Sequence, residues 1–223
     1  MRVLHTSDWH LGRTFHRESL LDAQAAFIDH LVETVRAERV DVVAVSGDLY
    51  DRALPPVDAV SLFDSALRRL VAAGAQVVII SGNHDSATRL GFGTDLMGAA
   101  GVHLRTDPAR AWEPVTIGDV SFYGIPYLEP ELVRGPWQLA ERSHTAAIGH
   151  AMDRVRADAA ARGTRSVVLA HAFVTGGRAS DSERDISVGG VAHVPITAFD
   201  GVDYVALGHL HGSQRMSDTV RYS

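Results

Sequence analysis

The sequence predicts an α/β domain with mixed β-sheets flanked by helices. Two features point to it: short β-branched runs that are apolar at nearly every position, and amphipathic helical stretches alternating with them. A strand apolar on both faces is buried on both faces, as in a parallel sheet. A β-α-β-α-β order then implies parallel strands joined by right-handed crossovers.

The first strand is "RVLHTS" at 2–7. Leu21, Ala25, Ile28, Val32 and Val35 recur at helical spacing and predict a helix over about 20–38. "VDVVAVSGD" (40–48) is the second strand. Pro55-Pro56 opens a second helix, carrying Val60, Phe63, Leu67, Leu70 and Val71 and ending near Gly74. Its Leu62, Phe63 and Leu67 stripe reads as core. "AQVVIISGN" (75–83) is the third strand, a shorter helix is expected within 87–99, and 115–127 reads as a hairpin turning at Gly118-Asp119. A long helix is expected from Pro136 to about Arg162, followed by the buried strands "SVVLAH" (166–171) and "VDYVALGH" (202–209). Between these two strands, 175–190 is polar, Gly-rich and charged, and is expected to be a loop.

At 223 residues the chain is long enough for one good-sized domain, taken as 1–223. No run of about 18 apolar residues suggests a membrane span, and the start "MRVLHTSDWH" has no apolar signal core. The absence of cysteine excludes disulfides and thiolate metal sites and fits a reducing cytoplasm, the expected location. A formal net charge of −6 argues against a broad basic face for nucleic acid, so any contact with DNA must rest on local charge. Twelve histidines are a surplus that needs a reason.

The strand ends supply that reason. Strand one ends in Asp8-Trp9-His10, strand two in Gly47-Asp48 and strand three in Gly82-Asn83-His84-Asp85. "SVVLAH" ends in His171, and "VDYVALGH" runs into His209 and His211. Carboxyl ends of parallel strands lie along one edge, where ligands bind. Carboxylate, imidazole and amide donors without thiolate suit Mn²⁺, Fe or Zn²⁺ better than Mg²⁺. The donors outnumber the roughly four that one tetrahedral ion takes, so two divalent ions about 3.5–4 Å apart are expected. Asp48 is the natural bridge, since each carboxylate oxygen can bind one cation. Two such cations can make a bound water acidic enough to serve as a nucleophile, as in other two-metal hydrolytic sites.

The pattern Asp-x-His, Gly-Asp, Gly-Asn-His-Asp, His, Gly-His-x-His resembles the calcineurin-like metallophosphoesterase superfamily. Within it, "HTSDWHLGR", "GDLYDRALPP", "SGNHDS" and "VDYVALGHLHGSQ" are similar to the SbcD-type nuclease subunits of bacterial DNA repair. Leu11-Gly12, Ser86 and "SDSERDISVGG" (180–190) point the same way. The resemblance implies a metallophosphoesterase fold, a two-sheet sandwich. It implies that Asp8, His10, Asp48 and His211 hold one ion and Asp48, Asn83, His171 and His209 the other, with Mn²⁺ favoured. His84 would face the scissile phosphate, and Asp85 would either orient that ring or cap a helix. Arg13, His16, Arg17, Arg52 and Arg89 are candidate phosphate contacts, and Trp9 is packed support. The implied partners are DNA, an SbcC-type coiled-coil ATPase and a second copy of the chain, with no membrane. The implied activities are 3′–5′ double-strand exonuclease and single-strand endonuclease. A small-molecule or phosphoprotein phosphoesterase on the same fold is the alternative, and a metal-free scaffold would require lost ligands. The family continues past "TVRYS" into capping and partner-binding regions, so the sequence is expected to be a nuclease-domain fragment.

Overall fold

A computed structural model of the chain describes residues 1–178 and 193–223. The first half contains β1 (Val3–Thr6), a small hairpin of β2 (Thr14–Phe15) and β3 (Glu18–Ser19), α1 (Leu21–Glu38), β4 (Val42–Ser46), α2 (Val57–Ala72) and β5 (Gln76–Ile80). Two short helices, α3 (Ala87–Leu90) and α4 (Thr94–Ala99), lead into β6 (Val102–Arg105). The second half contains β7 (Val115–Ile117), β8 (Val120–Ile125), α5 (Pro130–Trp137), α6 (His144–Arg162) and β9 (Arg165–His171). The two-residue pair β10 (Phe173–Val174) and β11 (His193–Val194) follows, then β12 (Tyr204–Gly208), β13 (Gln214–Arg215) and β14 (Val220–Tyr222).

Two sheets form a sandwich. One is parallel, in the order β1-β4-β5-β6. The other is mixed, in the order β13-β14-β12-β9-β8-β7, with antiparallel pairs at both edges. Strand alternation explains why the central runs are apolar throughout. Val42, Ala44, Val78 and Ile80 meet Phe122, Val167, Leu169 and Ala206 between the sheets. The intervening Val43, Val45, Val77 and Ile79 face outward onto α1 and α2, while Val168, Ala170, Val205 and Leu207 share a core with α6. Phe63 and Leu67 are buried in the first of these outer cores, as their spacing predicts. Among the described residues no helix is long and apolar enough to cross a membrane.

Three elements differ from the sequence reading. The helix expected from Pro136 begins only at His144: Pro136 and Trp137 close α5, Gln138 follows in the left-handed region (φ 54), and α6 starts afresh with Ser143 accepting the Ala146 N–H at 3.1 Å. The helix expected within 87–99 is split at Gly91 and Gly93, the latter with φ 72. Strand β6 and the small ladders are additional, because runs of two to four residues carry too little periodicity to register.

Polar links cross the apolar sandwich near the edge where the site lies. Ser46 Oγ donates to Ala206 O at 2.8 Å. His5 Nε2 lies 3.0 Å from Leu207 O, so the proton sits on Nε2, and Nδ1 accepts from the Tyr204 hydroxyl at 3.3 Å. Burial pushes His5 down from 6.5 to about 4, with the Leu207 carbonyl opposing it. Its contribution to stability is therefore complete above pH 6.5 and lost as the pH falls toward 4, a loss of at most about 3 kcal/mol. His5→Gln is expected to flatten the Tm–pH curve over that interval; parallel curves for the two proteins would refute the assignment.

Candidate metal centre

Asp8 and His10 follow β1, Asp48 follows β4, and Asn83 and His84 follow β5, whereas His171 closes β9 and His209 and His211 follow β12. The donors thus come from both sheets, and the site occupies the edge where the carboxyl ends of the two sheets meet. Close approach there demands small residues. A Cβ on Gly208 would collide with the Ser46 carbonyl oxygen, and one on Gly82 with the Asp48 carboxylate. Four of the seven candidate ligands are non-glycine residues at positive φ: Asp8 (55), His10 (45), Asp48 (50) and His209 (104). Left-handed backbone costs about 1–2 kcal/mol per residue, and such strain collects at functional sites. It turns these side chains off the strands' in-and-out alternation and into the cleft.

The donor atoms fall into two groups. His10 Nε2 and His211 Nε2 stand 3.0 Å apart, with His10 Nε2 3.7 Å from Asp48 Oδ2 and His211 Nε2 4.0 Å from Asp8 Oδ1. In the second group Asn83 Oδ1 lies 2.9 Å from His171 Nε2 and 3.1 Å from His209 Nδ1, and His171 Nε2 lies 3.4 Å from Asp48 Oδ2. Donors about 2.1 Å from one ion, at octahedral to tetrahedral angles, stand roughly 3.0–3.4 Å from each other. The second group matches those separations, and the first is wider on its carboxylate sides. Asp8, Asp48 and His171 also converge within 4.8 Å. Asp48 Oδ1 accepts the His84 N–H at 2.8 Å, so Oδ2 alone faces both groups.

Hydrogen bonds aim the donors. His171 Nδ1 donates to Ser46 O at 2.8 Å, which turns Nε2 toward Asn83 and Asp48. The Asp8 carboxylate accepts the His209 N–H at 3.1 Å and the Ser7 hydroxyl. Burial pushes His10 and His209 down to about 3, so both are neutral with a free lone pair at pH 7. Burial also opposes charge on His171, but Asp48, and then Asp8, outweigh it and lift the ring to about 9. For Asp48 burial raises the carboxyl, yet His171 and His10 hold it below the usual carboxylate range. Asp8, with burial foremost, is raised. Two buried carboxylates beside the neutral rings of His10 and His209 call for positive charge. A proton on His171 meets part of that need where cations would meet all of it, so the donor set fits divalent ions.

His84 Nδ1 lies 2.9 Å from the main-chain oxygen of Asp51, which leaves Nε2 facing inward, 4.0 Å from Asp48 Oδ2. Asp51 rather than Asp85 orients this ring. Asp85 accepts the N–H groups of Leu49 (3.1 Å), Tyr50 (2.9 Å) and Gly82 (2.9 Å), and the cap of α3 is Ser86. Asp85 therefore ties two ligand loops together, even though burial, with Asp48 beside it, raises its carboxyl to about 6. Neither role expected for it matches these contacts.

The donors open on a cleft of about 210 Å³ that Arg13 and Arg52 also line. His16 and Arg17 are set apart as the exposed left-handed turn of the β2–β3 hairpin (φ 49 and 71). Arg89 lines a separate apolar groove with Tyr50, Leu54, Phe63 and Phe92, so it is not part of the cleft. Trp9 is buried and donates to Thr6 Oγ1 at 3.0 Å, a packing role as expected. "SDSERDISVGG" lies outside the described residues. Asp51 and Ser7 were missed by the sequence reading, although Asp51 stands in plain view three residues after Asp48.

A model of the family described as calcineurin-like phosphoesterase matches residues 1–213. Among solved structures, the chain is similar to a dimetal phosphatase from Danio rerio, 14% identical over 99% of this chain and 84% of that one, with a TM-score of 0.51. At that identity the likeness is one of fold. The calcineurin-like phosphoesterase YfkN from Bacillus subtilis aligns at 11% identity over 99% of this chain and 80% of that one, with a TM-score of 0.44.

Proposed function

The chain belongs to the calcineurin-like phosphoesterase family, whose members are metal-dependent phosphoester hydrolases, and from that premise we propose that this member is a two-metal DNA nuclease of the SbcD type. The observation that carries the chemistry is the convergence of two donor groups on Asp48 Oδ2 at the floor of an open cleft. What favours DNA is the set of sequence blocks around the donors, together with Arg13 and Arg52 at the cleft. Arginine pairs with phosphate in two-pronged fashion, and every one of the 21 basic residues here is arginine.

In this reading Asp8, His10, Asp48 and His211 hold one ion, and Asp48, Asn83, His171 and His209 hold the other. Mn²⁺ is the proposed metal, with Fe or Zn²⁺ as alternatives of similar donor preference. Two such cations supply the positive charge that lets a nucleophile approach an anionic diester. His84, its Nδ1–H committed to Asp51 O, presents Nε2 to the phosphate and donates from it when the ring is protonated. Arg13 and Arg52 hold flanking phosphates, and the hairpin turn at His16-Arg17 extends that track. The proposed reactions are 3′–5′ double-strand exonuclease and single-strand endonuclease in repair and recombination, with an SbcC-type ATPase partner.

The test is turnover of end-labelled duplex and hairpin DNA with Mn²⁺, set against bis-p-nitrophenyl phosphate and a phosphopeptide. His84→Gln is expected to lower kcat by about 10²–10³-fold with Mn²⁺ affinity unchanged. Cleavage of the small esters with DNA untouched would reject the nuclease. That outcome would favour a small-molecule or phosphoprotein phosphoesterase, a reading supported by the net charge of −6.

A homodimer is also proposed. Leu54, Val57, Val60, Phe92 and Leu96 are exposed large apolar residues clustered by sequence around α2 and the α3–α4 turn. Phe92→Asp combined with Val60→Asp is expected to shift sedimentation from dimer to monomer, and an unchanged sedimentation coefficient would count against this face.

A further inference from the structure

His10 Nδ1 is a buried ring nitrogen with no hydrogen bond among the described residues. An unmet buried polar group costs about 1–3 kcal/mol, so its persistence asks for an explanation. The carboxylate facing it is that of Asp51, whose Oδ1 lies 3.8 Å away, somewhat beyond the roughly 3.2 Å of a made hydrogen bond. On the opposite side of the ring, Nε2 points at His211 and at Asp48 Oδ2. The ring thus has the Asp51 carboxylate on its Nδ1 side and the other donors on its Nε2 side, the pairing in which an outer carboxylate fixes the tautomer and aim of a metal-binding histidine.

Two arginines also face Asp51. Arg13 Nε lies 4.0 Å from Oδ1 and Arg52 3.9 Å from Oδ2. Pairing with them is a rival account of the carboxylate, but it is the weaker one. The Arg13 and Arg52 side chains are 33% and 61% exposed, so water screens both pairs, whereas the His10 nitrogen that faces Asp51 is buried and otherwise unmet. The main-chain oxygen of the same residue orients His84.

We propose that Asp51 is a positioning residue of the dimetal site: its carboxylate takes the Nδ1–H of His10 when an ion engages Nε2, while its carbonyl aims His84. It rests on the dimetal reading of the cleft and is independent of whether DNA is the substrate. Asp51 acts through His10, a donor of the first group, whereas His171 of the second group is anchored by Ser46 O.

The experiment is Mn²⁺ titration by calorimetry of the wild type, Asp51→Leu and Asp51→Asn, with bis-p-nitrophenyl phosphate turnover and Tm on the same samples. Asp51→Leu is expected to weaken one of two Mn²⁺ sites about 10–100-fold, leave the other unchanged and lower kcat more than it raises KM. Asp51→Asn, which keeps an acceptor of the same shape, is expected to recover most of that affinity. A merely structural role would lower Tm and weaken both sites together, and that result overturns the proposal. Two unchanged sites in Asp51→Leu overturn it while leaving the dimetal reading intact. A wild type that binds no Mn²⁺ overturns both.

Discussion

Replacing Asp48 with Asn is expected to loosen both ions at once and to cut phosphodiester turnover by at least about 10³-fold, the loss of several kcal/mol of charge stabilisation. The carboxylate's two oxygens have different duties. Oδ1 accepts the His84 N–H, and Oδ2 faces His10 and His171. In asparagine one position becomes an NH₂. Placed at Oδ1 it would meet another donor, so it is driven to the Oδ2 position, where both donor groups need a lone pair. Asp8→Asn, by contrast, is expected to weaken mainly the ion shared with His10 and His211. Calorimetric Mn²⁺ titration distinguishes these outcomes, and one tight site surviving in Asp48→Asn would refute a role of Asp48 in both sites.

Asp85→Ala is expected to destabilise the fold by roughly 3–9 kcal/mol, because three N–H groups lose their acceptor at about 1–3 kcal/mol each. In a chain of this size that lowers Tm by about 10 °C or more. The effect contrasts with His84→Gln, expected to lower kcat while leaving Tm within a few degrees. Thermal melts of both variants check the contrast. If Asp85→Ala melts like the wild type and loses only activity, a catalytic role for this carboxylate returns.

These two neighbours show how far local reading reaches. "SGNHDS" marks His84 and Asp85 together, and residue type alone makes both credible acid–base groups. Only contacts with residues about 30 or more positions away separate them: His84 leans on Asp51 O, whereas Asp85 holds the amides of Leu49 and Tyr50. Arg52 and Arg89 divide in the same way, one lining the cleft and the other an apolar groove. The long helix assumed after Pro136 failed for a related reason. Its break depends on one left-handed residue, Gln138, and a new cap at Ser143.

The central strands and the chemistry at their ends are legible in the order of residues alone. Burial on both faces demands an unbroken apolar run, and a polar donor closing such a run stands out against it. Tertiary structure alone decided that the donors come from two sheets, that Asp48 Oδ2 faces both groups, and that the Asp51 carboxylate lies 3.8 Å from His10 Nδ1. The first set of facts follows from forces acting within a strand. The second depends on two sheets meeting at glycines and on left-handed turns at Asp8, His10, Asp48 and His209, and neither a contact between distant strands nor a strained φ leaves a periodic trace in the chain.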